Sequence, residues 1–259
     1  MGLNAKLTAI ADAMREKTGK TGKLSLDDMA ESVGEIFDAG KETGNKLGME
    51  AFWNAYISDA SLSDSANLFR GHGWGASNFF PVKDIRPIGS TRQMFEDFGH
   101  ILGGVADEPL DLVSRLEECG VILDVSEATD AMYTFQRANI STLPVLDFRN
   151  SINLTSTFAD SSVVSVEKLI VDSDNGWANT FKNVSNLVDL RIEGVINHRN
   201  PSFQWSTQLS HDSLVSIINA LMNSPTAYPI CTLTLGSENL AKLTADEIKI
   251  ATDKGWNIA

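Results

Sequence analysis

The dipeptide Thr-Phe occurs at 134–135, 157–158 and 180–181, each copy 23 residues after the last. A period of that length constrains the fold more than any single motif does. A unit of this size is one supersecondary element that cannot bury its own apolar face, so copies must stack to enclose a core. Two further rows keep the period. Leu123-Asp-Val125, Leu146-Asp-Phe148 and Leu169-Ile-Val171 each begin twelve residues before the Phe of their unit, and Ala131, Leu154 and Trp177 precede it by four.

An apolar residue upstream of each short strand gives Leu143-x-x-Leu146-x-Phe148, Val166-x-x-Leu169-x-Val171 and Leu187-x-x-Leu190-x-Ile192, the L-x-x-L-x-L core of a leucine-rich-repeat pattern. The fold class that follows is α/β, a solenoid with short parallel strands. Alternation sends Leu146 and Phe148 inward and Asp147 outward. Phe135, Phe158 and Phe181 then form a core ladder on the opposite wall from Leu123, Leu146 and Leu169, and this role accounts for part of the surplus of 12 Phe over 3 Tyr. The period drifts after Phe181, where Leu190 follows by nine residues instead of eleven. The pattern favours a coil two residues short over a register through Ile192 and Gly194.

Residues 1–58 differ in kind and read as a helical attachment or oligomerisation module. Leu3, Leu7, Ile10 and Met14 form one helical stripe; Ser25 and Asp28 resemble a capping box before a second, and a third segment runs through Leu47, Ala51, Phe52 and Tyr56. Such a unit docks on a partner or caps the stack. Residues 59–259 are assigned to the solenoid, with irregular coils over 59–122, regular coils over 123–207, and a helical coil and cap over 208–259. Met94-Phe95 reads as an early equivalent of Thr-Phe. A helix is expected over 107–119 with Pro109 in its first turn, another after a Ser210 cap, a strand at 232–235, and a last helix over 244–254 closed by Gly255.

With 34 acidic against 21 basic residues and a net charge of -13, no stretch supplies a basic stripe for nucleic acid or an anionic membrane. No signal peptide or transmembrane segment is expected. Cys119 and Cys231 read as isolated core residues. His72, His100, His198 and His211 fall in no metal-binding spacing, and GHILGG at 99–104 fits neither glycine-rich phosphate template. No cofactor or metal is implied. Asp124 and Asp147 share a register on successive strands, followed by Ile170 and then Arg191 or Glu193. Adjacent strands would set the two carboxylates about 5 Å apart, as in retaining glycosidases, or the row is a structural ladder. Trp74 and Trp205 lie among polar and Gly residues and join these as candidate recognition residues; Trp53, Trp177, Tyr228 and Trp256 read as packing groups.

LDFRNSINLTSTFADSSVVSVEKLIV and LIVDSDNGWANTFKNVSNLVDLRI resemble BspA-type leucine-rich repeats of bacterial surface and phage tail-associated proteins. LTAIADAMREKTGKTGKLSLDDMAESV resembles a module at the start of tail proteins of phages and prophages of gut bacteria, and KLGMEAFWNAYISD, GHGWGASNFFPVKDIRPIGSTRQMF and LSHDSLVSIINAL resemble further parts of that group. Ala159-Asp160 and Asn183-Val184 replace the Cys-Thr or Cys-Ser of typical family repeats. The resemblance implies a non-enzymatic tail protein of the virion, made in the host cytoplasm. Residues 1–58 would contact other tail or baseplate proteins, and the solenoid would meet a bacterial surface glycan or protein. It also implies a homo-oligomer, a trimer being one arrangement. A bacterial cell-surface adhesin and a polysaccharide-degrading solenoid are the alternatives.

Overall fold

The computed structural model describes residues 84–99, 108–172, 176–198, 200–223 and 231–259, together with 12, 15 and 16. The chain divides into two compact units, Met1–Asp59 and Ala60–Ala259. In the first, Asp12, Arg15 and Glu16 are helical, and Arg15 is ion-paired to Asp12 one turn before it. The remaining helical stripes expected over 1–58, and Trp53, Trp74, His72, His100 and Tyr228, lie outside the described residues.

The second unit is mixed α/β. In chain order it contains β1 (Asp84–Ile85), β2 (Leu110–Asp111), α1 (Leu112–Cys119), β3 (Ile122–Leu123), β4 (Ile140–Asp147), β5 (Ser165–Val171), β6 (Asp189–Gly194), α2 (His211–Ala220), β7 (Cys231–Leu233), α3 (Ser237–Leu240), α4 (Ala245–Asp253) and β8 (Trp256–Ile258). A four-stranded parallel sheet has the order β2-β4-β5-β6, and the pairs β1-β3 and β7-β8 are also parallel.

The register follows the sequence period with one correction. Leu143 faces Val166 and Leu190, while Leu146 faces Leu169 and Ile192. The register through Ile192 and Gly194 therefore prevails over the short coil. The extra residue is absorbed by an irregularity between Val166 and Leu169, where Glu167 and Lys168 together span the length that Arg191 covers alone. Gly194 is opposite Val171 at φ +106°, and a Cβ there would fall 1.9 Å from the Val171 carbonyl oxygen. Only glycine admits that approach. Two residues on, Ile196 is fully buried.

Among the described residues the Phe row is a continuous stack of five rings. Centroid separations are 5.1 Å for Phe95–Phe135, 5.8 Å for Phe135–Phe158, 5.0 Å for Phe158–Phe181 and 5.0 Å for Phe181–Phe203. Phe95 was anticipated as a rung and Phe203 was not. The turns carrying these rings join through their backbones: the N–H groups of Ala131, Tyr133, Phe135 and Arg137 donate to the carbonyls of Asn153, Thr155, Thr157 and Ala159, and Leu154, Ser156, Phe158 and Asp160 repeat this one turn on. Such a ladder needs alternate residues in the left-handed region. Gln93, Asp97, Tyr133, Arg137, Ser156, Asp160, Asn179 and Asn183 have φ between 53° and 62°, two residues either side of each of the first four rings.

The threonine of the Thr-Phe pair sews these turns together. Thr157 Oγ1 lies 2.9 Å from the Ala131 carbonyl of the preceding turn and 2.8 Å from the Leu154 carbonyl of its own, and Thr134 repeats the arrangement on Thr91 and Ala131. All three threonines are buried. A hydroxyl satisfied in this way can sit beside an apolar ring without the desolvation penalty of an unpaired polar group.

Two expectations at the N-terminal side are corrected. The helix begins at Leu112, not near Pro109, because Asp111 caps it by accepting from the Ser114 N–H at 3.1 Å, and it ends at Gly120 with φ 63°. Nor does β3 neighbour β4: it pairs with β1, and β2 takes the place beside β4 through Leu110–Ile140 and Asp111–Thr142. The reason is α1, which packs on β4 and whose Val113 N–H donates to Thr142 Oγ1 at 3.3 Å. At the C-terminal end, Ser210 caps α2, and Thr244 with Glu247 forms a capping box on α4. Lys254 donates to the Ile218 and Asn219 carbonyls at the end of α2, and Trp256 Nε1 donates to the Met222 carbonyl.

Candidate functional site

The outward face of the sheet is built from residues that alternate with the buried Leu143, Leu146, Val166, Leu169, Leu190 and Ile192. Asp147, Ile170 and Glu193 share one register across β4, β5 and β6; of the two residues the repeat allows at the last place, Glu193 takes it and Arg191 does not. Lys168 binds Glu193 at 2.9 Å. That hydrogen bond and the ammonium charge hold the Glu193 carboxyl below its ordinary 4.5. Arg149 reaches back to Asp147, its Nε 3.0 Å from both carboxylate oxygens, and this contact raises the guanidinium further.

The strand pairing expected to set the two carboxylates side by side does not form. Asp124 follows β3 and Asp147 ends β4, and these strands belong to different sheets. Each acid closes its own turn instead. Asp124 accepts from the Ser126 N–H at 3.1 Å and Oγ at 2.7 Å, and Asp147 accepts from the Arg149 N–H at 3.1 Å. Asp130 and Asn153 do the same for Met132 and Thr155, again 23 residues apart. The recurrence of Asp in the repeat is thus explained by turns in which a short side chain mimics a backbone carbonyl. Serine hydrogen bonds hold the Asp124 carboxyl below its ordinary 3.8, with Arg86 at 3.6 Å adding to the effect. A general acid at neutral pH needs the opposite displacement.

Beyond β6 the sheet meets α2 and, among the described residues, no fifth strand. Leu190 N–H donates to Ser213 Oγ and Ile192 N–H to Ser216 Oγ, both at 2.8 Å; Ser213 Oγ lies 3.1 Å from the Val188 carbonyl and Ser216 Oγ 3.3 Å from that of Ile192. The donors and acceptors are 23 to 25 residues apart in sequence. The helix thus occupies the place of the next strand in the period. Because a helix is thicker than a strand, it stands proud of the sheet and walls a groove of about 1010 Å³, lined in part by Glu167, Arg191, Glu193, Asp212, Ser216 and Asn219. Arg191 and Glu193, singled out from the repeat, therefore belong to a concave surface, whereas Asp124 lies elsewhere. Trp205 is half-buried and is not in the groove wall.

A smaller cavity of about 380 Å³ lies where α1 displaces β3 from β4, among Val113, Leu116, Val121, Leu123 and Pro144, with Glu117 and Glu167 beside it. Among the described residues no group of three or more His, Cys, Asp or Glu side chains could hold a metal ion. Burial pushes the His198 imidazole below its ordinary 6.5, while Glu247, 2.9 Å from His211 Nε2, holds His211 above it. Cys231 is buried. No described helix is long and apolar enough to cross a membrane.

The groove wall on α2 was not found from sequence. Its one signal was Ser210-x-x-Ser213-x-x-Ser216, a row at helical spacing whose meaning depends on knowing that a strand edge runs beside it. Comparisons with protein-family models, with curated proteins and with solved structures return no match to this chain.

Proposed function

We propose that the second unit is a solenoid of BspA-type leucine-rich repeats and that the chain is a phage or prophage tail-associated structural and adhesion protein. In this reading the outer sheet face meets a glycan or protein of the host surface. Residues 1–58 attach the chain to other tail or baseplate components and to further copies of itself. The observation that carries the reading is the outer face itself: a groove walled by α2 and lined by Glu167, Arg191, Glu193 and Asp212, beside a register in which the Asp147 and Glu193 carboxylates are held in ion pairs. Polar groups presented on a rigid scaffold suit recognition. The same groups are poorly suited to hydrolysis, because neither Asp124 nor Glu193 has the raised carboxyl of a general acid. The resemblance of the repeats and of the N-terminal segment to tail-associated proteins gives the setting.

Immunogold labelling of intact virions tests the assignment, with labelled tails as the expected result. A purified chain that stays monomeric, binds no host cells and is missing from virions would overturn it. Within the groove, Arg191→Glu should lower host-cell binding at least several-fold without changing the thermal midpoint by more than about 2 °C, since exposed substitutions alter stability little. Release of reducing sugar from host capsule would replace adhesion with the enzymatic reading.

A further inference from the structure

We propose that buried water occupies the seam between the Phe181 turn and the Phe203 turn, supplying hydrogen bonds that direct backbone contacts supply between the preceding turns. The rings bridge this seam without a break: Phe181 stacks on Phe203 at 5.0 Å, and Trp177 lies 6.4 Å from Phe203. The backbones do not. Through three preceding seams each turn donates to the carbonyls of the next turn along the chain, ending at Gly176, Ala178, Thr180 and Lys182. Trp177, Asn179, Phe181 and Asn183 hold the equivalent donor positions, and among the described residues their N–H groups reach no carbonyl of the next turn. Phe203 N–H resumes the pattern by donating onward to the Thr234 carbonyl, so the break falls at this one seam among the described residues.

Burial makes this consequential. Trp177 is 2% exposed and Phe181 1%, so their amide groups are shielded from bulk solvent. Three side-chain atoms from the same two turns are likewise buried without a partner: Trp177 Nε1, Ser202 Oγ and Ser206 Oγ, with Asn197 Oδ1 a fourth on the segment leading to them. Native proteins rarely leave a single buried N–H unpaired, and orphans gathered on one seam indicate a shared partner. The buried set comprises the Trp177 and Phe181 amide N–H groups, the Trp177 indole N–H, two hydroxyls that can donate or accept, and the Asn197 amide oxygen. Water complements it, because one molecule accepts from an N–H while donating to a hydroxyl or amide oxygen. An anion would accept from the same donors, but a chain of net charge -13 disfavours bringing one into its interior.

The test uses the full chain in solution. Rotating-frame cross-peaks between water and protein protons should appear at the Phe181 amide and the Trp177 indole N–H, and be lacking at the equivalent Phe135 and Phe158 amides. A high-resolution crystal structure should place ordered water within hydrogen-bond reach of Trp177 Nε1 and Ser206 Oγ. No water cross-peak at Phe181 or Trp177 overturns the proposal. So does an anomalous bromide peak at the seam after a halide soak, which would assign the donors to an anion.

Discussion

The serine contacts between α2 and β6 lend themselves to a test with a calculable outcome. Leu190 is 2% exposed, and its N–H has Ser213 Oγ as acceptor at 2.8 Å. Ser213→Ala removes that acceptor and leaves a buried donor, which costs about 1–3 kcal/mol. The Val188 carbonyl is less affected, because it keeps the Ser210 N–H at 2.8 Å. Ser216→Ala removes the partner of the Ile192 N–H in the same way. Ile192 is somewhat more accessible, at 8%, so water can replace part of the loss and the cost should lie near the lower end, about 1 kcal/mol. The double variant should therefore lose about 2–4 kcal/mol if the two sites act independently. That is a large share of the roughly 5–15 kcal/mol that a domain possesses. Urea unfolding would measure the loss, and amide exchange at Leu190 and Ile192 would locate it. The freed edge of β6 should also promote pairing between copies, visible as added mass in light scattering, because an uncovered strand edge is a template for another chain. Stability unchanged within about 0.5 kcal/mol, with both amides still protected, would refute the idea that the hydroxyls close the sheet edge.

Other expectations follow from packing, backbone and charge. Phe158 is fully buried between two stacked rings, and Phe158→Ala should cost about 3–5 kcal/mol in chemical unfolding, through transfer and cavity contributions together. Gly194→Ala, which sets a Cβ against the Val171 carbonyl, should destabilise by about 1–3 kcal/mol and disturb the β5–β6 amide shifts. The His211–Glu247 pair has a defined pH window. A raised His211 stabilises below 6.5 and loses that contribution as pH rises through its folded value, whereas a lowered Glu247 stabilises above 4.5 and loses it as pH falls. The thermal midpoint of the native chain relative to His211→Gln should thus be greatest between about pH 4.5 and 6.5, and a difference that does not fall away on either side of that range would exclude the pairing.

Legibility in the sequence tracks how many residues report on one position. The Phe ladder was readable because Thr, Phe and the strand leucines repeat together. Phe203 escaped because Ser202 precedes it and it follows Phe181 by 22 residues. The β6 register was misread for a related reason: Leu190 and Ile192 satisfy the apolar pattern by themselves, while Gly194 carries no side chain to report that it is opposite Val171. Pairing partners were the least readable feature. Nothing local in Leu123-Asp-Val125 distinguishes a strand that joins β4 from one that joins β1, since α1, eight residues long, makes the choice by packing on β4. Similarly, Asp124 and Asp147 are chemically identical at one register, and only the placement of their strands shows that each acid serves its own turn.

The left-handed positions beside each Phe are the feature of the fold least visible to pattern reading, because no glycine marks them. A left-handed conformation costs an ordinary L-residue about 1–2 kcal/mol, while Gly and Asn adopt it readily. The eight described residues that hold it include Tyr133, Arg137 and Gln93, so the backbone ladder imposes it over local preference. Asn179 allows the imposition to be measured, since it has φ 56° and is exposed, so that packing contributes little to a substitution. Asn179→Gly should be close to neutral, Asn179→Ala should cost about 1 kcal/mol, and Asn179→Val about 2 kcal/mol, because a β-branched side chain tolerates the region least. The order in thermal unfolding carries the argument. If Val were as stable as Asn, the turn would have relaxed out of the left-handed region, and the alternation that directs every second N–H along the stack would not be required for folding.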